Sequence, residues 1–173
     1  MKGLSRSLAR GKPQVSPIVK QRIRVTNLAV AVANGSSAPG IGSSVLGDFP
    51  QGNILFLGAV AYLQFDATGD TDATTTWNGD FGIGTVPNAD ADLSDATDVD
   101  IVASTAIGPA VARVSPVTRG VHTAANTGTV LDNTDDSLEL NLNVMVDDAD
   151  QSGAISLVVN GIVELSYIVL GDD

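Results

Sequence analysis

The sequence predicts an all-β protein: an antiparallel β-sandwich of jelly-roll type with an extended N-terminal arm. Three observations carry this. Gly contributes 18 of 173 residues, and Thr, Asp and Asn are frequent beside Val and Ile. That mixture of turn formers and β-branched residues makes many short strands rather than long helices. Apolar residues alternate with polar ones in the C-terminal part, most plainly at Leu138, Leu140, Leu142, Val144 and Val146, which is the period of a strand. No long segment has helical periodicity, and roughly eight or nine strands separated by turn signals point to a sandwich. A jelly roll is one of the few arrangements that hide sheet edges at that strand number.

The elements follow in order. Residues 1–17 read as a basic arm, because Gly3, Gly11, Pro13 and Pro17 break any long helix. The plain alternative is a terminus that frays. Residues 18–173 read as a single β-sandwich domain. Its first strand runs from about Ile18 to Val32. Ile23 and Val25 share one parity while Leu28, Val30 and Val32 share the other, so the phase slips near Thr26-Asn27, the mark of a bulge. Lys20, Arg22 and Arg24 alternate on the polar face of this strand. A loop then extends from Asn34 to Pro50. Asn53 to Phe65 is apolar on both parities: Leu55, Leu57, Ala59, Ala61, Leu63 and Phe65 face one way, and Ile54, Phe56, Val60 and Tyr62 the other. A strand covered on both sides lies centrally in a sheet or in a subunit interface.

Asp66 to Asp72 reads as an acidic turn, Thr74 to Thr85 as a glycine-interrupted strand or hairpin, and Pro87 to Asp100 as a second acidic loop. Two short strands, Asp100 to Ala106 and Ala110 to Val117, flank Gly108-Pro109. Arg119 to Asn126 reads as a turn or irregular segment. Leu138 to Val146 is a half-buried strand with Glu139, Asn141, Asn143 and Met145 on its other face, and Asp147 to Gly153 is a turn. Beyond it Ile155, Leu157 and Val159 alternate, as do Val163, Leu165, Tyr167 and Val169. Asn160-Gly161 fits either a hairpin turn or a bend within one long strand, and the sequence leaves both open.

Charge is divided along the chain. Lys2, Arg6, Arg10, Lys12, Lys20, Arg22 and Arg24 are seven of the nine basic residues, and the first acidic residue is Asp48. Residues 1–24 thus carry +7, and the remainder, with two basic and twenty acidic residues, carries −18. Such a split describes a basic segment that meets a negative surface, joined to an acidic, soluble body. The absence of cysteine excludes disulfides and thiolate metal sites. A single histidine, His122, excludes a histidine metal cage or a histidine pair within one chain. No apolar run approaches the length of a membrane span, and residues 1–17 lack the apolar core of a secretion signal, so no membrane partner is expected.

Chemistry finds little support. The acidic clusters Asp66/Asp70/Asp72, Asp90/Asp92/Asp95/Asp98/Asp100 and Asp147/Asp148/Asp150 lack the spacing of the helix-flanked calcium loop. They read instead as solvated turns that blunt strand edges. Paired carboxylates for glycoside hydrolysis would need a cleft with aromatic platforms, and the few aromatics are scattered. His122 has no nucleophile-elbow sequence to serve. Gly79-Asp80-Phe81-Gly82-Ile83-Gly84 echoes a phosphate loop but lacks the Lys-Ser/Thr pair and the helix; its glycines suit a bulge or close backbone packing. The expected protein is not an enzyme and uses no cofactor and no metal. The basic segment could touch phosphates, but no aromatic lies among its charges. A negative protein surface is therefore the expected partner, rather than nucleic acid, with charge matching setting orientation and association rate more than affinity.

The short basic arm, the Gly/Ala/Val/Thr-rich β body without cysteine and the closing segment Leu165-Ser166-Tyr167-Ile168-Val169-Leu170 resemble tailed-phage head decoration, or cement, proteins. Gly47-Asp48-Phe49-Pro50-Gln51-Gly52-Asn53-Ile54-Leu55 and Trp77-Asn78-Gly79-Asp80-Phe81-Gly82 are similar to segments of virion proteins of marine phages. The resemblance implies a jelly-roll or related fold. It also implies a homo-oligomer, a trimer, on the outer capsid surface of the virion, bridging copies of the major capsid protein. On that footing Lys2, Arg6, Arg10, Lys12, Lys20, Arg22 and Arg24 lie against the shell. The acidic loops then face solvent, and Phe56, Tyr62 and Phe65 meet a neighbouring subunit. Two alternatives stay open: a carbohydrate- or receptor-binding β-sandwich module, against which the scarcity of aromatics argues, and a tail or head-to-tail virion component.

Overall fold

A computed structural model describes residues 17–33, 38–68, 76–90, 92–111, 113–147 and 153–171. These residues are all β, without a helix, in nine strands: β1 (Val19–Val32), β2 (Gly40–Asp48), β3 (Gly52–Thr68), β4 (Thr76–Gly84), β5 (Val102–Val111), β6 (Thr118–Val121), β7 (Val130–Asn133), β8 (Glu139–Val146) and β9 (Ile155–Gly171). The expected arm lies outside the described residues except for Pro17, and Lys2, Arg6, Arg10 and Lys12 lie outside with it.

Two antiparallel sheets are formed. The first has the order β1-β9-β3-β6, with β7 also paired to β3; the second has the order β2-β8-β4-β5. β6 meets Val60 to Leu63 and β7 meets Gly52 to Leu55. The two short strands thus share, in succession, the edge of β3 that β9 leaves free. The pairs nest around the middle of the chain: β4 with β5, β3 with β6 and β7, β2 with β8, β1 with β9. The chain behaves as one long hairpin folded over on itself.

The inner faces of both sheets contribute to one core. Phe65 of the first sheet meets Phe81 of the second with ring centroids 5.4 Å apart. Trp77 is fully buried, and its indole N–H donates to the Arg113 carbonyl at 2.8 Å, which satisfies the one polar atom of that side chain.

Several elements differ from expectation for identifiable reasons. The segment expected as loop before Pro50 contains β2. Its sequence, GIGSSVLGD, is too rich in Gly and Ser to alternate, and it is a strand because β8 pairs with it along its length. β5 runs unbroken through Gly108-Pro109 instead of splitting in two. It is the edge strand of its sheet, where proline is tolerated, and its register with β4 shifts there. Arg119 belongs to a short strand, β6, and β7 was not foreseen at all. Of the alternatives left open by the sequence, β4 is one strand rather than a hairpin, and Asn160-Gly161 lies within one long strand, β9.

β3 changes face at Gly58. Ile54 and Phe56 point into the core before it, and Ala59, Ala61, Leu63, Phe65 and Ala67 after it, with a register shift against β9 between Phe56 and Gly58. The two expected faces of this strand are therefore exchanged halfway along. β8 is not half-buried: Asn141 and Asn143 are as buried as Leu140 and Leu142. The expected bulge in β1 is present, with the register against β9 shifting between Val25 and Leu28.

Candidate functional site

The two outer faces of the sandwich are finished in opposite ways. Over the β2-β8-β4-β5 sheet lies the segment between β4 and β5. Asn143 is fully buried beneath it and donates to the carbonyls of Val86 at 2.9 Å and Asp98 at 2.8 Å. Its amide oxygen accepts from Ser43 Oγ at 2.7 Å and from the backbone N–H of Asn88 at 2.9 Å. Gly82 and Gly84 bring the cover into backbone contact: a Cβ on Gly84 would run into the carbonyls of Thr97 and Asp98, and one on Gly82 into Val99. At the end of the segment, Thr85 donates from its backbone N–H and its hydroxyl to the two oxygens of Asp100, at 2.8 and 2.7 Å. Burial pushes Asp100 above the usual carboxylate range against these two bonds, which pull it down. Asp98 is raised by burial and then by the neighbouring carboxylates of Asp95, Asp90 and Asp92.

The outer face of the β1-β9-β3-β6 sheet is open among the described residues. Its registers line side chains up in rows that cross four strands. One row runs Arg24, Ile162, Tyr62, Arg119; the next runs Arg22, Glu164, Val60, Val121. A third runs Lys20, Ser166, Gly58, with the His122 ring lying over Gly58, where a Cβ would come within 2.8 Å of His122 Cε1. Five of the nine basic residues are described, and four of them, Lys20, Arg22, Arg24 and Arg119, stand in these rows. The fifth, Arg113, faces Asp66 at 3.9 Å. Glu164 is the only carboxylate within the rows among the described residues. Its pair with Arg22 spans 3.5 Å, with both side chains half exposed or more.

A groove of about 440 Å³ crosses these rows. Leu57, Gly58, Ala59, Val60 and Val121 form its apolar floor, and Lys20, Arg22 and Arg119 stand at its sides. The depression exists because the third row holds nothing larger than serine between Lys20 and His122. His122 is fixed from β3: its Nδ1 lies 3.2 Å from the Ala59 N–H and 3.1 Å from the Ala59 carbonyl, and its ring meets Phe56 edge-on. Tyr62, 42% exposed, accepts at its hydroxyl from Arg119 Nε at 3.3 Å.

Of the expected contact residues, Lys20, Arg22 and Arg24 are brought together on this face. Phe56 and Phe65 are fully buried in the core of a single chain, which leaves them no side-chain surface to offer a neighbouring subunit; Tyr62 alone of the three is at the surface. Arg119 and His122 were missed. The available signal was the alternation Arg119-Gly120-Val121, which puts arginine and valine on one face of a strand. Among the described residues, no group of three or more His, Asp or Glu side chains is placed to hold a metal ion. A scan against protein-family models and a search of curated proteins find no match to this chain.

Proposed function

We propose that this chain is a virion structural protein of jelly-roll architecture. It docks on the outer surface of a capsid through the open face of the β1-β9-β3-β6 sheet, as a homo-oligomer, a trimer, whose partner is the major capsid protein. The observation that carries the reading is the concentration of Lys20, Arg22, Arg24 and Arg119 on one open sheet face of a body that is otherwise strongly acidic. Cations two residues apart on a strand stand about 7 Å apart, within a Debye length at physiological salt. With one carboxylate among four cations, the free molecule bears their mutual repulsion, and an acidic partner surface relieves it. Tyrosine and arginine side by side, as at Tyr62 and Arg119, are the residue types enriched where interfaces hold most of their energy.

The nested pairing of strands, 1 with 9 through 4 with 5, supports the jelly-roll reading, a fold shared by capsid proteins and lectins. The closed face, with Asp90, Asp92 and Asp95 on its cover, then looks away from the shell. No catalytic step, cofactor or metal is part of this role.

Co-sedimentation with purified shells tests it. The wild-type chain pellets with shells, and the Arg22→Glu/Arg24→Glu/Arg119→Glu variant stays in the supernatant. The mass in solution, measured for the full chain and for a chain lacking residues 1–17, is expected to be that of a trimer in both. Equal pelleting of wild type and variant removes the docking role of this face. Absence of pelleting together with glycan binding favours a carbohydrate-binding module.

A further inference from the structure

We infer that the groove across β1, β9, β3 and β6 is a docking site for an extended acidic segment of another protein, with the pattern acid-x-apolar-x-acid. This deepens the docking reading above and rests on it. The groove is lined by all four strands, so an occupant lies across them rather than adding to an edge. Four strands at about 4.8 Å spacing put β1 and β6 about 14 Å apart. An extended chain rises about 3.3 Å per residue and turns alternate side chains to one side. Residues i and i+4 therefore stand about 13 Å apart on the same side. Arg22 and Arg119 lie one row apart across the four strands, about 16 Å between backbones, and their long side chains close the remaining gap on an oblique path, while residue i+2 faces the floor of Leu57 and Val60.

The charges assign the ends. Arg22 holds Glu164 in an exposed pair at 3.5 Å, a type of interaction worth little and easily exchanged, so an incoming carboxylate can take over that guanidinium. Arg119 offers Nε to the Tyr62 hydroxyl, a neutral partner, which a carboxylate would outbid as a charge-assisted acceptor. The apolar floor, the carboxylate of Glu164 in the middle and the acidic body all disfavour a polyphosphate or polysulfate.

A second copy of this chain does not fit. Its acidic pairs four residues apart are Asp66/Asp70, Asp132/Asp136 and Asp135/Glu139, and the residues between them are Thr68, Thr134 and Ser137. None presents an apolar side chain to the floor.

Titration of the ¹⁵N-labelled full chain with the peptide Glu-Thr-Val-Thr-Glu, followed by amide shifts, is the test. Shifts are expected at residues 20–24, 57–62 and 119–122 and not in the 85–100 segment. Arg22→Gln/Arg119→Gln is expected to weaken binding at least tenfold with its amide spectrum otherwise intact. Lys-Thr-Val-Thr-Lys is expected to leave the groove unmoved. Shifts mapping elsewhere, undiminished binding by the double variant, or tighter binding of a heparin oligosaccharide at the same residues would overturn the inference. Shells that pellet the chain while the peptide moves nothing overturn the groove assignment alone. Peptide binding without pelleting overturns the decoration role alone.

Discussion

The closed and open outer faces of this sandwich are built from the same kind of sheet, and the side chains at matching depth decide what becomes of each. On the β2-β8-β4-β5 side, Asn141, Asn143, Gly82 and Gly84 leave room and hydrogen bonds for a backbone cover. On the β1-β9-β3-β6 side, the corresponding outward positions carry Arg, Lys, Tyr and branched apolar residues that none of the described residues covers. A sheet face whose outward residues are small or amide-bearing accepts a loop of its own chain. A face with bulky cations over an apolar floor is left for something else.

The strongest way to break this contrast is to open the closed face. Asn143→Ala leaves the Val86 and Asp98 carbonyls without their buried amide donor, while the Asn88 N–H keeps Ser43 Oγ as an acceptor at 3.0 Å. At about 1 kcal/mol or more per orphaned carbonyl, a loss of about 2 kcal/mol in unfolding free energy is expected in denaturant titration, with faster proteolysis between residues 85 and 100. Gly84→Ala puts a methyl group against the Thr97 and Asp98 carbonyls; overpacking of this kind costs about 1–3 kcal/mol, read in the same titration. Gly58→Ala acts on the open face. Its backbone sits at φ +154°, and the added Cβ would press on the His122 ring at 2.8 Å. A loss of about 1–2 kcal/mol is expected, together with displaced amide signals for residues 119–122.

Much of this could be read from the chain, and the parts that could not share a cause. The β1 bulge was visible because the apolar phase changes at Thr26-Asn27; there Asn27 takes a positive φ of 50° and its N–H donates to Asn160 Oδ1 at 2.9 Å. β2 was hidden because its pairing with β8, rather than any alternation of its own, makes it a strand. Asn141 and Asn143 looked solvent-facing because polar alternation has the same appearance under water and under a polar cover. The open basic face was half legible. Lys20, Arg22 and Arg24 alternate in sequence, but Arg119, Tyr62 and Val60 join them only through register with β9 and β3, which a single sequence does not display.

Smaller effects sharpen the comparison. Charge reversal at Arg22 and Arg24 should change unfolding free energy by no more than about 1 kcal/mol, since the one ion pair it breaks, Arg22–Glu164, is solvent-exposed, even as it abolishes docking. A stability change comparable to that of Asn143→Ala would mean that the cations hold the fold rather than meet a partner. On the closed face, Asp98 and Asp100 have folded pKa values raised above their ordinary value of 3.8, and Asp80 is raised by burial and by Asp147. A carboxyl raised in this way favours folding when protonated. Its contribution is complete below the unfolded value and is lost as pH rises through the folded one. Thermal stability is accordingly expected to increase on mild acidification from neutral pH toward the raised values. Asp98→Asn should raise the midpoint at pH 7 by a small amount, under about 4 °C, and flatten that pH dependence.

Hydrogen exchange of the chain, free and bound to purified shells, tests most directly whether the open face is the one that meets a partner. Slowed exchange on binding is expected in β1 around residues 20–24, in β3 around 57–62 and in β6, with the 85–100 cover unchanged. Protection of the cover, with these three strands exchanging as in the free protein, would contradict the assignment.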